Sequence, residues 1–171
     1  MPEKINIAVS SCLSGEAVRY DGTDKHMQVI TEQLGNKYNL ISFCPEMAIG
    51  LGVPRAPIHL VDTAAGIQVT GVDSPTTNVT SSLVNYAKEV VKNNVEICGY
   101  IFKKHSPSCG TKNVKVMNSR GVYERRGQGL YAATIMAALP LLPVIDEEDF
   151  LDDSLKELFL EKVENYFSTR Q

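Results

Sequence analysis

Three of the four cysteines in this chain stand in similar surroundings. Cys12, Cys44 and Cys109 lie beside Gly, Pro or Ser residues, and each comes after a short apolar run. Deprotonated thiols are the usual protein ligands of iron–sulfur clusters and also bind zinc. The sequence has no Cys-x-x-Cys pair of the kind that structural zinc sites use, whereas single cysteines on separate loops suit a bulky cluster bound at its corners. Three such ligands on a four-iron cluster would leave one iron open.

Other interpretations of the cysteines stay open on the residues alone. Reduced cysteines are often simply buried, and the chain would then be an α/β binding module without a metal. The cysteines could instead bind zinc. A further alternative is an iron–sulfur cluster that serves only electron transfer or redox sensing, in a protein without hydrolytic activity. Cys98 differs because it begins an apolar strand, and we expect it in the core.

Two side chains beside the cysteines are suited to proton transfer. Glu46 is two residues after Cys44, in the first turn of an expected helix. A carboxylate there is favoured by the helix dipole, and it could equally act as a general acid or base. Ser106 precedes Pro107 and could cap a helix or exchange a proton with a substrate. For both residues the capping role and the chemical role remain alternatives.

Other polar side chains on the same loops are candidates for substrate binding. Arg19 and Asp21 lie in the loop after the first of these cysteines, and Arg55 follows the second. Arginine at such a place can form paired hydrogen bonds to a phosphate, or bind a carbonyl. We expect Arg19, Asp21, Arg55 and Ser108 to contact the substrate. His105 adjoins the serine-rich loop and could donate a hydrogen bond from behind it.

The elements that position these loops follow from the apolar pattern. Short apolar runs alternate with amphipathic stretches, which indicates βαβ units and a largely parallel sheet. Ligands of open α/β sheets bind beyond the carboxyl ends of the strands, so the three cysteine loops should share one rim. The expected strands cover residues 5–9, 38–43, 58–61, 67–70, 99–102, 114–116, 122–123 and 141–145. The expected helices cover residues 25–34, 77–93, 128–139 and 147–167.

We therefore predict an α/β fold: a single Rossmann-like domain over residues 1–171, with a mainly parallel sheet flanked by helices and small hairpins. One hairpin joins the segments 58–61 and 67–70, and the other joins 114–116 and 122–123. Residues 13–25, rich in Gly, Asp and Ser, are expected to form a loop.

Composition limits the possible functions. The chain has 171 residues, of which 43% are hydrophobic, so it can form a packed core. Its net charge of -3 and pI of about 5.6 argue against binding to DNA or to a membrane surface. No run approaches the ~18 apolar residues of a membrane span, and the N-terminus resembles a core strand more than a signal peptide. We expect a cytoplasmic protein with reduced cysteines; the sequence does not indicate its oligomeric state.

Five motifs together resemble the thiouracil desulfidase family. They are Cys12-Leu13-Ser14-Gly15, Val18-Arg19-Tyr20-Asp21-Gly22, Cys44-Pro45-Glu46, Pro54-Arg55-Ala56-Pro57 and Ser106-Pro107-Ser108-Cys109-Gly110. The similarity extends from about Ile5 to the helix that begins near Gln128. The chain departs from the usual family pattern at Lys104-His105 and at residues 73–77.

The resemblance implies an oxygen-sensitive [4Fe-4S] cluster with Cys12, Cys44 and Cys109 as ligands, and Glu46 and Ser106 as the catalytic pair. The implied reaction replaces sulfur by oxygen on a thiolated pyrimidine, releases sulfide and needs no net redox change. Some family members carry a second helical domain linked to RNA, for which this chain is too short. The expected substrate is therefore a free base or nucleotide, such as thiouracil or 4-thio-UMP, rather than intact tRNA.

Overall fold

The computed structural model describes residues 3–171. The strands within them are β1 Asn6–Ser10, β2 Asn39–Phe43, β3 Ile58–Thr63, β4 Gly66–Gly71, β5 Ile97–Phe102, β6 Val114–Met117, β7 Tyr123–Gly127 and β8 Val144–Asp146. The α-helices are α1 Gln28–Gly35, α2 Pro45–Ala48, α3 Thr80–Asn93, α4 Leu130–Ala138 and α5 Asp153–Ser168. Short 3-10 helices cover Ser11–Ser14 and Asp149–Leu151.

The predicted parallel sheet is present and has the strand order β2-β1-β5-β8. Ser10 at the end of β1 pairs with Phe43 at the end of β2, and Val9 pairs with Ile101 of β5. The chain leaves β1 toward one side to form β2 and later returns on the other side to form β5. The carboxyl end of β1 is therefore a topological switch point, the place where α/β sheets bind ligands.

Helices cover both faces of this sheet, as the α/β pattern predicts. Alternate residues of a strand point to opposite faces. Val9 accordingly packs in one cluster with Ile30 of α1 and Val163 of α5. Ala8, its neighbour in β1, packs on the other face with Tyr131 of α4. The Rossmann-like description is confirmed.

The two expected hairpins are parts of a second four-stranded sheet with the order β4-β3-β6-β7. β3 pairs with β4, and β6 with β7, in the antiparallel sense expected of hairpins. A parallel pairing of β3 with β6, with Leu60 opposite Val116, joins the hairpins into one mixed sheet. Leu83 of α3 packs on the same apolar cluster, and α3 also covers the first sheet.

The last helix begins later than predicted. Residues 147–167 were expected to be helical, but α5 begins at Asp153. The side chain of Asp146 accepts two consecutive backbone N–H groups just after β8, which holds the chain in a turn. Asp152 then caps α5 by accepting the amide of Leu155 at 3.0 Å. Two side-chain caps within seven residues thus replace the first turns of the predicted helix.

The ends of several other helices and strands differ from the predicted ones by a few residues. The helices expected at 25–34, 77–93 and 128–139 begin two or three residues later than predicted. The strand expected at 141–145 is shorter and lies at Val144–Asp146. The loop predicted over residues 13–25 begins inside a 3-10 helix, Ser11–Ser14. Among residues 3–171, none of the helices combines the length and the apolar character needed to cross a membrane.

Candidate functional site

A cavity of about 300 Å³ opens at the carboxyl ends of β1, β2 and β5, and the three predicted cysteines line it. Cys12 lies in the 3-10 helix that follows β1, and Cys44 directly follows β2. Cys109 lies on the loop after β5, so the ends of three adjacent strands bring the thiols to one place. Cys98 instead lies in the core of the sheet, as its position at the start of a strand predicts.

Burial raises the pKa of all three thiols that line the cavity. It raises the pKa of Cys12 to about 11, although the nearby ammonium of Lys103 acts in the opposite direction. It raises the pKa of Cys109 well above the usual range, against a hydrogen bond with Ser10, and raises that of Cys44 as well. The thiolates also repel one another. The three thiols would therefore ionise together only beside a positive charge, such as a metal centre supplies.

Three cysteine thiols line this one cavity of about 300 Å³, and cysteine sulfur is the donor that binds iron–sulfur clusters. Between residues 3 and 171, no group of three or more His, Cys, Asp or Glu side chains is placed so that it could hold one metal ion. A cluster binds each thiolate at a different corner, so its ligands need not converge on one point.

The loop that carries Cys109 is organised by the side chain of Ser106. Its Oγ accepts the amides of Ser108 at 3.1 Å and Cys109 at 3.0 Å. Ser106 thus caps a turn, not the start of a helix. Its Oγ–H remains to be donated, and Ser106 lines the cavity.

The N-terminus of α4 fixes the same loop from behind. The amide of Gly129 donates to the Gly110 carbonyl at 2.7 Å, and that of Leu130 donates to the Pro107 carbonyl at 3.0 Å. These N–H groups have no partner within their own helix, so the loop satisfies them. A Cβ on Gly129 would lie 2.5 Å from the carbonyl carbon of Ser108, closer than side-chain carbons pack. Only glycine permits this approach of α4 to the cysteine loop.

Glu46 stands in the cavity wall with both carboxylate oxygens engaged. Nε of Arg55 lies 3.1 Å from Oε1, and Oγ of Ser108 donates to Oε2 at 3.1 Å. The side chains of Arg55 and Glu46 are only 5% and 16% exposed. These contacts set the orientation of the carboxylate from two sides.

Arg55 also connects the loops around the cavity. Its Nη1 donates to the carbonyl of Gly52, and its Nη2 donates to the carbonyl of Val18, each at 2.8 Å. Its backbone amide donates to the carbonyl of Tyr20 at 2.8 Å. Most of the guanidinium is therefore used to hold Glu46 and the backbone, although the residue lines the cavity as predicted.

Of the other three residues predicted to contact the substrate, only Arg19 lines the cavity. Arg19 lines the cavity, and its Nη1 lies 3.4 Å from Oγ1 of Thr23. Asp21 is not among the lining residues; its carboxylate accepts the amide and the hydroxyl of Thr23, which lower its pKa. Ser108 is fully buried and lies behind Glu46 rather than at the cavity surface.

Lys103 is a part of the site that the sequence analysis missed. It lines the cavity, its Nζ pairs with Glu147 Oε1 at 2.5 Å, and its backbone amide donates to Ser10 Oγ at 2.9 Å. Glu147 follows β8, the neighbour of β5 in the sheet. Lys103 could have been predicted to belong to the site because it is a charged residue directly after the fully buried strand β5.

Comparison with known proteins connects the whole site to one family. The pattern of the 2-thiouracil desulfurase family matches residues 7–147, which include every site residue described above. An uncharacterized protein of Bacillus subtilis (strain 168), YbbK, is 30% identical over 116 residues, which are 61% of this chain and 73% of that protein. The solved structure of the [4Fe-4S]-dependent thiouracil desulfidase TudS superposes with a TM-score of 0.70 at 29% identity. That match covers 90% of this chain and 97% of TudS.

Proposed function

The chain belongs to the 2-thiouracil desulfurase family, and from this we propose that it replaces the sulfur of a thiolated pyrimidine by oxygen and releases sulfide. The observation that carries the proposal is one cavity lined by three thiols, two buried and one half-buried, with a fixed carboxylate in its wall. The structural similarity to a [4Fe-4S]-dependent thiouracil desulfidase supports the same reaction.

The proposed cofactor is a [4Fe-4S] cluster held by Cys12, Cys44 and Cys109, with one iron open. When bound, the cluster supplies a thiophilic Lewis acid that polarises the C=S bond without a net change of oxidation state. The chain's own contribution would be to hold three cysteine sulfurs around one cavity. The ammonium of Lys103 lowers the pKa of the Cys12 thiol, while the carboxylate of Glu147, its ion-pair partner, acts in the opposite direction.

Glu46 is the proposed general base. With Arg55 and Ser108 holding its two oxygens, the carboxylate presents a fixed acceptor to a water molecule beside the substrate carbon. It takes a proton from this water as the new C–O bond forms. One water thus replaces the sulfur as a carbonyl oxygen, and its two protons balance the departing sulfur as H₂S.

Ser106 is the proposed partner of Glu46. Its oxygen already accepts two backbone amides, and its hydroxyl can still donate one hydrogen bond. In the cavity that proton can be donated to a ring nitrogen of the pyrimidine while charge develops there. Arg19 in the same wall is suited to bind a carbonyl of the substrate.

The proposal also covers the cellular compartment, the class of ligand and the number of domains. All four cysteines are free, which suits a reducing compartment and hence the cytoplasm. The net charge of -3 favours a small molecule over DNA or tRNA. Because α3 packs on both sheets, we take the chain as a single domain.

The experiment that tests the function is turnover of 2-thiouracil by the anaerobically purified protein, with sulfide and uracil both quantified. Equal amounts of the two products are expected from the wild type. Glu46→Gln should keep the iron and sulfide of the wild type but lose at least about a hundredfold in kcat. Glu157→Gln, an exposed change on α5, is the matched control. A wild type that only cycles with a chemical reductant, without product, would support electron transfer instead.

A further inference from the structure

A groove that shares no lining residue with the catalytic cavity collects exposed leucines. Its volume is about 600 Å³, and it runs between α5 and the segment that leads into β8. Leu141 on one wall is 82% exposed, and Leu155 and Leu158 on the other are 43% and 46% exposed. Leu151, just before α5, is 63% exposed. Within residues 3–171, these four are all of the exposed leucines.

The groove lies at an open edge of the parallel sheet. β8 is the last strand in the order β2-β1-β5-β8 and pairs only with β5 within the described residues. It has three residues and directly follows Pro143, features that discourage the addition of another strand. Single exposed apolar residues are normal, whereas a contiguous apolar patch marks an interaction site. We therefore expect the groove to be covered by packing against a helix.

The exposed face of α5 has the pattern of a helix that pairs with another helix. Leu155, Leu158 and Lys162 follow at intervals of three and four residues and line the groove together. Residues at these intervals lie on one face. Phe159 and Val163 are buried on the core side of the same helix. An apolar stripe of this kind beside a second, buried one is typical of a helix that has neighbours on two sides.

Opposite charges stand at the two ends of this stripe. Among the described residues, Lys162 has no carboxylate oxygen within 4.0 Å, and Asp152 at the other end has no lysine, arginine or histidine nitrogen within that distance. One oxygen of Asp152 accepts the amide of Leu155, and the other remains available. Asp149 also lines the groove, but Lys112 already pairs with it at 2.5 Å.

These features make the surface complementary to itself in one orientation. In a twofold contact, residue i of one copy meets residue j of the other, and j meets i. With the axis between Leu155 and Leu158, two antiparallel α5 helices would place Leu155 of each copy against Leu158 of the other. Lys162 lies four residues after Leu158, and Asp152 three residues before Leu155. The same axis therefore brings each lysine to the aspartate of the other copy, whereas parallel helices would bring like charges together.

We propose that the chain forms a homodimer in which the two α5 helices pack antiparallel, each against the groove beside β8 of the other copy. The occupant of the groove is thus a second copy of this chain. The family pattern ends at residue 147, so the helical stripe lies beyond it. The proposal does not depend on the reaction that the protein catalyses, and the two can fail separately.

The test is sedimentation equilibrium of the anaerobically purified full-length holoprotein at micromolar concentration. The wild type should have twice the chain mass of 18.8 kDa. Leu158→Glu should raise the dissociation constant of the dimer at least about tenfold, because it would bury a carboxylate among leucines. Val122→Glu makes the same kind of change at an exposed apolar residue next to β7 in the second sheet, and should leave the constant as in the wild type.

A second pair of variants tests the antiparallel orientation. Lys162→Gln should raise the dissociation constant about threefold or more, and high salt should weaken the wild-type dimer in the same way. Lys92→Gln, an exposed lysine on α3, is the matched control. Thermal unfolding checks that all variants are folded. An unchanged constant in Lys162→Gln would overturn the orientation.

Two results would overturn the homodimer itself. One is a dimer that Leu158→Glu leaves as tight as the wild type, because its interface would then lie elsewhere. The other is a wild type that stays monomeric up to the highest concentration measured, because a second copy would then not be the occupant of the groove and a different partner would have to cover it.

Discussion

Nε of Arg55 lies 3.1 Å from Oε1 of Glu46, and this largely buried ion pair connects the proposed base to the loops that surround the cavity. The same guanidinium binds the carbonyls of Gly52 and Val18. Because one planar group makes all three contacts, the orientation of Glu46 depends on the geometry of Arg55 as well as on its charge.

Arg55→Lys should therefore lower kcat at least about tenfold although it retains the charge, since an ammonium cannot replace the planar set of donors. Arg55→Met should also destabilise the fold by about 3 kcal/mol, because it leaves a buried carboxylate without its partner. Steady-state turnover and urea unfolding measure the two effects. The exposed change Arg120→Lys is the control. Full activity in Arg55→Lys would show that only charge matters at this position.

Ser106 has two roles that substitution can separate. Ser106→Ala removes the acceptor of two backbone amides and should cost about 1 kcal/mol in the free energy of unfolding, together with most of the turnover. Ser106→Thr retains the hydroxyl and should restore the stability. Ser82→Ala, on the exposed side of α3, gives the effect of a serine without such contacts. Unchanged turnover in Ser106→Ala would remove it from the proposed mechanism.

Gly129 holds α4 against the loop that carries Cys109. Gly129→Ala should destabilise the protein by about 1–3 kcal/mol and loosen that loop, since the new Cβ would overlap the backbone of Ser108. Gly35→Ala is the control, because nothing lies within 4 Å of a Cβ there, at the end of α1. Chemical unfolding of both variants tests the difference. Equal stability of the two would show that α4 can shift freely.

The sequence was sufficient to place the cysteines at one rim because the carboxyl ends of parallel strands must meet there. It could not show how Glu46 is held, because Arg55 and Ser108 come from different loops that only the fold brings together. It also missed the parallel pairing of β3 with β6, which joins segments more than fifty residues apart. The start of α5 was wrong because caps at Asp146 and Asp152 override the apolar pattern of residues 147–152.

The pH dependence of stability should involve Glu164. Hydrogen bonds from Lys37 and Tyr38 lower the pKa of its carboxyl group in the folded protein. The folded state thus favours the ionised form, so the contribution is present above the ordinary pKa of glutamate and is lost as the pH falls through the lowered value. Its size is below about 1 kcal/mol, because the Lys37 and Glu164 side chains are 67% and 46% exposed and screened.

Glu164→Gln should therefore reduce the free energy of unfolding near pH 7, and this reduction should become smaller as the pH falls through the lowered pKa of Glu164 toward pH 3. Glu161→Gln, on the exposed surface of the same helix, should change neither value. Urea unfolding at both pH values measures the difference. An equal loss at both pH values would mean that Glu164 acts through packing instead of charge.

The most direct test of the account is the iron and acid-labile sulfide content of anaerobically purified protein, compared between Cys109→Ala and Cys98→Ala. The wild type and Cys98→Ala, which changes a cysteine in the core of the sheet, should each contain about four irons and four sulfides per chain. Cys109→Ala should be bleached and retain little of either. Zinc without labile sulfide in the wild type, or an intact cluster in Cys109→Ala, would contradict the three-cysteine site on which the proposed function depends.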